Sequence, residues 1–284
     1  MKKSNVILSF LLSLCLVLVL FAVQISLFTR VQLLNNDFYV GQFNKNNLAT
    51  SVQSSIKNDL TSLGSYNYIP PEVFNGLYSR EWVESTINDA NKNFIDFLTY
   101  KTNTLKKIDT SSIEQKLSSN VDGYVSANKI VVNEGTQSEL NTVKTQTVNI
   151  IKNQASIVNI TSLSKSDTFL KLRTYINLVY SCIYLLLGLM FILILALYFC
   201  NRKSMGSFIR WLSYVLIAAG LFTIIPGLIG IISGFMKDIA VSPVVLKDLV
   251  VSISNEFFKF FIISGGICLA VAIVFIAFLK GSNE

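Results

Sequence analysis

The sequence predicts an all-α membrane protein, with four transmembrane helices and a mainly helical extracytoplasmic domain between the first two. Three observations carry that reading. Of the 284 residues, 51% are hydrophobic and only 14% charged, against the ~25% charged that is usual in soluble domains. The apolar residues gather in four runs, Val6–Phe28, Ile176–Phe199, Phe208–Phe235 and Phe257–Leu279, close to the ~20 residues that cross a bilayer's hydrocarbon core. Backbone groups find no water there, so runs of this kind must be helical. The third observation is the polar stretch Thr29–Leu172, where apolar residues return at helical spacing.

Residues 1–5 form a short basic start, and residues 6–28 read as an uncleaved signal anchor. The apolar run is longer than the ~7–15 residues of a signal-peptide core. No small-x-small site follows it, and Leu14 before Cys15 rules out a lipobox. Cleavage near Ala22–Ser26 is the alternative, and it would leave three spans.

Orientation follows from the excess of Lys and Arg in cytoplasmic loops. Lys2, Lys3, Arg202, Lys203, Arg210 and Lys280 flank the spans on one side, against Glu284 alone. The 237–256 loop with neighbouring Lys259 is balanced. Both termini (1–5 and 280–284) and the 200–207 turn are therefore expected in the cytoplasm, with 29–172 and 237–256 outside the cell membrane. This signal also accounts for most of the +7 net charge, because 29–172 holds fourteen Lys or Arg against thirteen Asp or Glu. No basic patch for nucleic acid remains.

The outer stretch is expected to hold four or five helices. Gly41, Gly64, Gly76, Gly123 and Gly135 are read as its punctuation, with Pro70 and Pro71 as its only prolines. Helix starts are signalled by residues whose side chains accept from free backbone N–H groups. Asp37 and Ser79 are such residues, while Ser111 with Glu114 and Thr136 with Glu139 match the capping box. Trp82, Val83, Ile87, Phe94, Phe97 and Leu98 share one helix face. Leu140, Val143, Ile150, Ile151, Ile157 and Val158 share another. A helix from near Asp167 is expected to run unbroken into the second span.

In the spans, Pro226-Gly227 predicts a kink. Gly230 with Gly234, and Gly266 with Ala270, are small-x-x-x-small pairs suited to close helix packing. Trp211, Tyr214, Tyr175, Tyr180, Phe257 and Phe258 are placed as interfacial anchors. In the 237–256 loop, Ser242-Pro243 reads as the start of a separate short helix docked on the outer domain.

Chemistry is sparse. The chain has no histidine, which excludes a His base, triad or metal ligand. None of the four cysteines, Cys15, Cys182, Cys200 and Cys268, lies in 29–172, so no disulfide framework supports it. No ionisable group occupies the middle of a span, which argues against a proton-coupled pump. Glu81 with Glu84, and Asp89 with Asp96, read as a solvated helix face, and Asn159-Ile160-Thr161 as an accidental sequon. No catalytic, cofactor or metal residue is assigned. The segment Tyr66, Tyr68, Ile69, Pro70, Pro71 and Phe74 stands out, as a loop tucked into the core or as a partner-binding loop.

At that segment the chain resembles uncharacterised four-span membrane proteins of Gram-positive, clostridia-like bacteria. The shared features are a basic start, a first span, Ile69-Pro70-Pro71-Glu72, the helix start Glu81-Trp82-Val83 and three closing spans. The resemblance implies architecture but no site. Three functional classes follow: a non-catalytic interaction protein binding an envelope protein or a second copy of itself, a transport subunit, or an envelope sensor. The transport reading is similar to FtsX/MacB-like permeases, although the 200–207 turn offers an ATPase little to grip. The lipid bilayer is the one partner common to all three.

Overall fold

A computed structural model describes residues 3–156, 166–238 and 244–281. Every regular element among them is helical. Four helices are long and apolar enough to cross a membrane, within Asn5–Leu33, Ile183–Asn201, Met205–Ser233 and Leu246–Lys280. The chain divides into two units, Asn36–Leu172 and the discontinuous pair Met1–Asn35 with Arg173–Glu284. Ile157, Val158, the 159–161 sequon and the Ser242-Pro243 cap lie outside the described residues.

The 36–172 unit contains α2 (Asn36–Lys45), α3 (Leu48–Tyr66), α4 (Arg80–Leu98), α5 (Ser111–Ala127) and α6 (Glu134–Ala155). It also holds the start of α7 (Asp167–Ser181) and a single 3₁₀ turn, Pro71–Phe74. Helix α3 is central and packs against α2, α4, α6 and the 3₁₀ turn. Its buried residues Leu48, Val52, Ile56, Leu60 and Gly64 recur every four positions. Val143, Thr147, Ile151 and Ala155 of α6 do the same, as do Ile113, Leu117 and Val121 of α5. Rows at that spacing form the ridges that interlock when helices pack. Each buried Ile or Leu stabilises the fold by about 1.5–3 kcal/mol.

Several local expectations change. Four of the five punctuating glycines, Gly41, Gly64, Gly123 and Gly135, sit inside helices, and only Gly76 has a positive φ. Helix ends are instead made by Tyr68, Tyr100 and Lys129, all left-handed at φ of 54°, 59° and 51°. In each case the next N–H bonds back across the turn, to Gly64, Asp96 and Val125 respectively. This is the Schellman closure that glycine usually provides.

The caps shift as well. Ser79 accepts from Trp82 N–H at 3.1 Å, as read. Asn133, not Thr136, caps α6 by accepting from the Thr136 N–H at 2.9 Å. Helix α5 starts one residue earlier than the Ser111 box implies, with Thr110 at the N-cap: Asp109 takes the Ser111 N–H and the Thr110 hydroxyl donates to Glu114. Among the core residues, Ile95 and Thr147 are buried although neither was placed there. Trp82, Phe94, Leu140 and Ile150 are only half-buried.

The other unit is built from α1 (Lys3–Phe28), extended by a π turn at Thr29–Leu33, with the end of α7, α8 (Ile183–Asn201), α9 (Met205–Ser233) and α10 (Val244–Gly281). Leu16, Leu197 and Val215 form a small core shared by α1, α8 and α9. Elsewhere large apolar side chains point outward, Ile232 being 80% exposed, which suits a hydrocarbon solvent. The buried side chains include Ser9, Ser13, Gln24, Ser26, Thr29, Asn201, Ser213 and Thr223.

Helices α9 and α10 meet backbone to backbone. A Cβ on Gly220 would lie 2.8 Å from the Gly265 carbonyl, and one on Gly265 would lie 2.6 Å from the Gly220 carbonyl. Gly230 seats the Phe258 ring, whereas Gly234 ends α9 at φ 60° and Gly266 has nothing within 4 Å. The close pairing is therefore Gly220 with Gly265, and neither expected small-residue pair makes it. Phe257 is half-buried, with its ring centroid 4.9 Å from that of Phe28.

Two continuity expectations reverse. Residues Val244–Gly281 form one helix, so no separate short helix precedes the fourth span. Nothing between Leu249 and Phe257 interrupts it, and Leu249 and Ser254 are buried along its length. Helix α7 does start at Asp167, but it stops at Ser181 and α8 begins at Ile183. At that pause the Val179 carbonyl accepts from Ser26 Oγ at 2.7 Å, and the Tyr180 carbonyl from Arg30 Nε at 3.0 Å. Side chains of α1 thus bind carbonyls beside the break, as backbone at membrane depth requires.

Candidate functional site

The singled-out segment starts where α3 ends. Gly64 is required at this point because a Cβ would meet the Ile69 carbonyl at 2.7 Å and a Phe74 ring carbon at 2.9 Å. The Ile69 N–H donates to the Gly64 carbonyl at 2.8 Å. Tyr68 takes the left-handed position between them, a conformation that costs a residue with a Cβ about 1–2 kcal/mol. Pro70 is extended, Pro71 opens the 3₁₀ turn, and Val73, Phe74 and Leu77 are buried. Helix α5 fastens the turn, with Asn120 Nδ2 donating to the carbonyls of Val73 at 2.9 Å and Asn75 at 3.0 Å.

The six residues do not form one surface. Tyr66 and Tyr68 are 85% and 93% exposed. Ile69 and Pro70 are half-buried, and Pro71 and Phe74 line a cleft of about 440 Å³ with Lys57, Leu60, Thr61 and Tyr78. Burial raises the Tyr78 phenol above its ordinary value. The segment is therefore divided: Val73 and Phe74 at its end are buried in the core, and Tyr66 and Tyr68 at its start are exposed.

A second cleft, of about 540 Å³, lies along α4 under the 99–110 connection. Trp82, Asp89, Asp96, Lys106, Lys107 and Asp109 are among its lining residues. Its volume falls in the ~300–1,000 Å³ range of small-molecule sites. The pair Asp89 and Asp96, read as a solvated face, therefore shares a concavity with a tryptophan. The spacing Trp82, Asp89, Asp96 repeats every seven residues, a periodicity that could have revealed the shared face.

The carboxylates in and beside the cleft sit in different settings. Asp89 is exposed, and Asp96 pairs with Lys101 at 3.4 Å. The Ser111 hydroxyl and N–H hold Asp109 below the usual carboxylate range. Likewise the Glu81 backbone N–H, followed by the Ser79 hydroxyl, holds Glu81 low. A catalytic acid needs its pKa shifted toward the working pH, and these two are shifted the other way. Among the described residues no group of three His, Cys, Asp or Glu could hold a metal ion.

In the bundle, Arg30 lies with its guanidinium carbon 4.5 Å from the Tyr180 ring centroid and 5.0 Å from that of Tyr184. Sequence reading overlooked it because Arg30 falls just beyond the apolar run. Compared with known proteins, the chain matches no family model, no curated protein and no solved structure.

Proposed function

We propose that this is a multi-pass protein of the cytoplasmic membrane, with both termini inside, whose 36–172 unit lies outside the membrane and binds an envelope protein without catalysis. In this reading the chain groups with the four-span, clostridia-like membrane proteins that it resembles in sequence.

The observation that carries it is the presentation of Tyr66 and Tyr68. Both rings stand in solvent while the backbone beneath them is held by the Gly64–Ile69 closure and by Asn120. Aromatic anchors on a rigid base are what protein interfaces use for most of their binding energy. Neither ring has a structural duty that explains its position, and Tyr68 adopts a strained conformation.

Photo-crosslinking residues placed at 66 and 68 in cells test this reading. One envelope protein recovered from both positions is the expected result. Recovery of none, with an ATPase co-purifying instead, would overturn the reading in favour of a transport subunit. Alkaline phosphatase fused after Asn120 should be active and green fluorescent protein fused after Glu284 should fluoresce. The reverse pattern would overturn the orientation.

A further inference from the structure

We infer that Arg30, with Tyr180 and Tyr184, forms a binding site for the phosphate of a phospholipid headgroup, at the edge of the bundle where the first span ends.

The argument starts from charge. Arg30 is cationic at any relevant pH, and it closes the apolar helix that spans Asn5–Leu33. Among the described residues no carboxylate lies within ion-pairing distance of it. A guanidinium at the end of a membrane span without a counter-ion among the described residues calls for one from outside.

Its side chain is already positioned for that role. The Nε–H donates to the Tyr180 carbonyl at 3.0 Å, and the guanidinium rests over the Tyr180 and Tyr184 rings. Those contacts occupy the Nε edge and cover the plane. The Nη edge keeps its remaining N–H donors, and Nη1 lies 3.5 Å from the Tyr184 hydroxyl. A guanidinium edge binds phosphate oxygens through parallel hydrogen bonds, and the Tyr184 hydroxyl stands beside it as a further donor. Tyr184 is 72% exposed and Tyr175 65%, as suits side chains at the depth of lipid headgroups.

The local backbone explains how the three groups meet. The π turn at Thr29–Leu33 resets the face on which Arg30 emerges. The pause at Cys182 lies between Tyr180 and Tyr184 and frees the carbonyl that orients the arginine.

The test uses the full chain purified in mild detergent, with retained lipid read by native mass spectrometry. Phosphatidylglycerol and a phosphate-free diglucosyl diacylglycerol are offered together. The expected result is retention of phosphatidylglycerol by the wild type, reduced about tenfold in Arg30→Gln, the loss of a charge-assisted contact. Because Arg30→Gln also uncaps the Tyr180 carbonyl, Tyr184→Leu and Tyr184→Phe serve as variants that keep that bond. Tyr184→Leu should weaken retention more than Tyr184→Phe at unchanged helix content. Equal retention of the two lipids, or unchanged retention in Arg30→Gln or in both Tyr184 variants, would overturn the site. Displacement of the lipid by inorganic phosphate alone would overturn the headgroup assignment in favour of a soluble phosphate.

Discussion

The two units of this chain apply opposite solvation rules to the same helical element. In the 36–172 unit, buried positions are aliphatic and four residues apart, as in Leu48, Val52, Ile56 and Leu60. In the bundle, buried positions include Ser9, Ser13, Gln24, Ser26 and Thr29 on α1, while Phe10, Leu14 and Leu18 face out. One unit sequesters hydrocarbon from water and is held by that sequestration. The other has hydrocarbon on the outside, so it is held by close backbone approach and by polar contacts between helices.

Glycine usage follows the same division. Gly220, Gly227 and Gly265 let α9 and α10 touch, whereas Gly41 and Gly123 in the water-facing helices have nothing within 4 Å. The exceptions, Gly64 in the 36–172 unit and Gly266 in the bundle, teach that what a Cβ would meet, rather than the unit, sets each glycine's role.

The largest way to break the comparison is to remove a water-driven core residue. Ile151→Ala should cost about 2–5 kcal/mol, read as an earlier urea midpoint for the 36–172 unit while detergent-phase unfolding of the bundle stays put. A common shift of both transitions would show that the units do not separate. Next comes the glycine contact. Gly265→Val should cost about 1–3 kcal/mol in thermal unfolding of the bundle, with Gly266→Val close to neutral. Equal effects at the two neighbours would refute the assigned packing face.

A smaller effect runs in the stabilising direction. Tyr68→Gly relieves the left-handed strain and should gain roughly 1 kcal/mol, yet under the proposed function it should also reduce crosslinking at this loop. Stability and binding moving together would refute the display role.

The smallest effect is alkaline. Burial pushes the Tyr39 phenol from 10.0 up to about 12, so the folded state favours its neutral form. That stability is full below pH 10 and is lost as pH rises toward 12. Absorbance at the phenolate band should show Tyr39 titrating later than the exposed tyrosines, and Tyr39→Phe should remove its contribution to the late step.

Much of this architecture could be read from sequence because its signals are long. Uncharged runs near twenty residues leave little choice but a spanning helix, and the Ser79 cap precedes a clear apolar stripe. Finer assignments failed where two neighbours offered the same chemistry. Gly265 and Gly266 are adjacent, and a one-residue shift turns a helix face by about 100°. Asn133 and Thr136 both cap well, and the helix takes the earlier one. Asn67 is chemically better suited than Tyr68 to a left-handed turn, so local sequence pointed to the wrong residue. The Tyr66–Phe74 segment stood out by composition, but its division into exposed and buried ends depends on the close approach at Gly64 and on Asn120, a distant partner that no local pattern names. The cleft beside Trp82 was missed because the 99–110 connection that covers it has no periodicity.

The polar face of α1 also sets an order of assembly during synthesis. Gln24 donates to Cys268 across 244 residues of chain, and Ser9 accepts from Asn201 across 192. At roughly 5–20 residues per second, Gln24 waits on the order of ten seconds or longer for that partner to be made. Over that interval Gln24 lacks this partner, whereas Ser26 and Ser9 meet theirs earlier, at the Val179 carbonyl and Asn201.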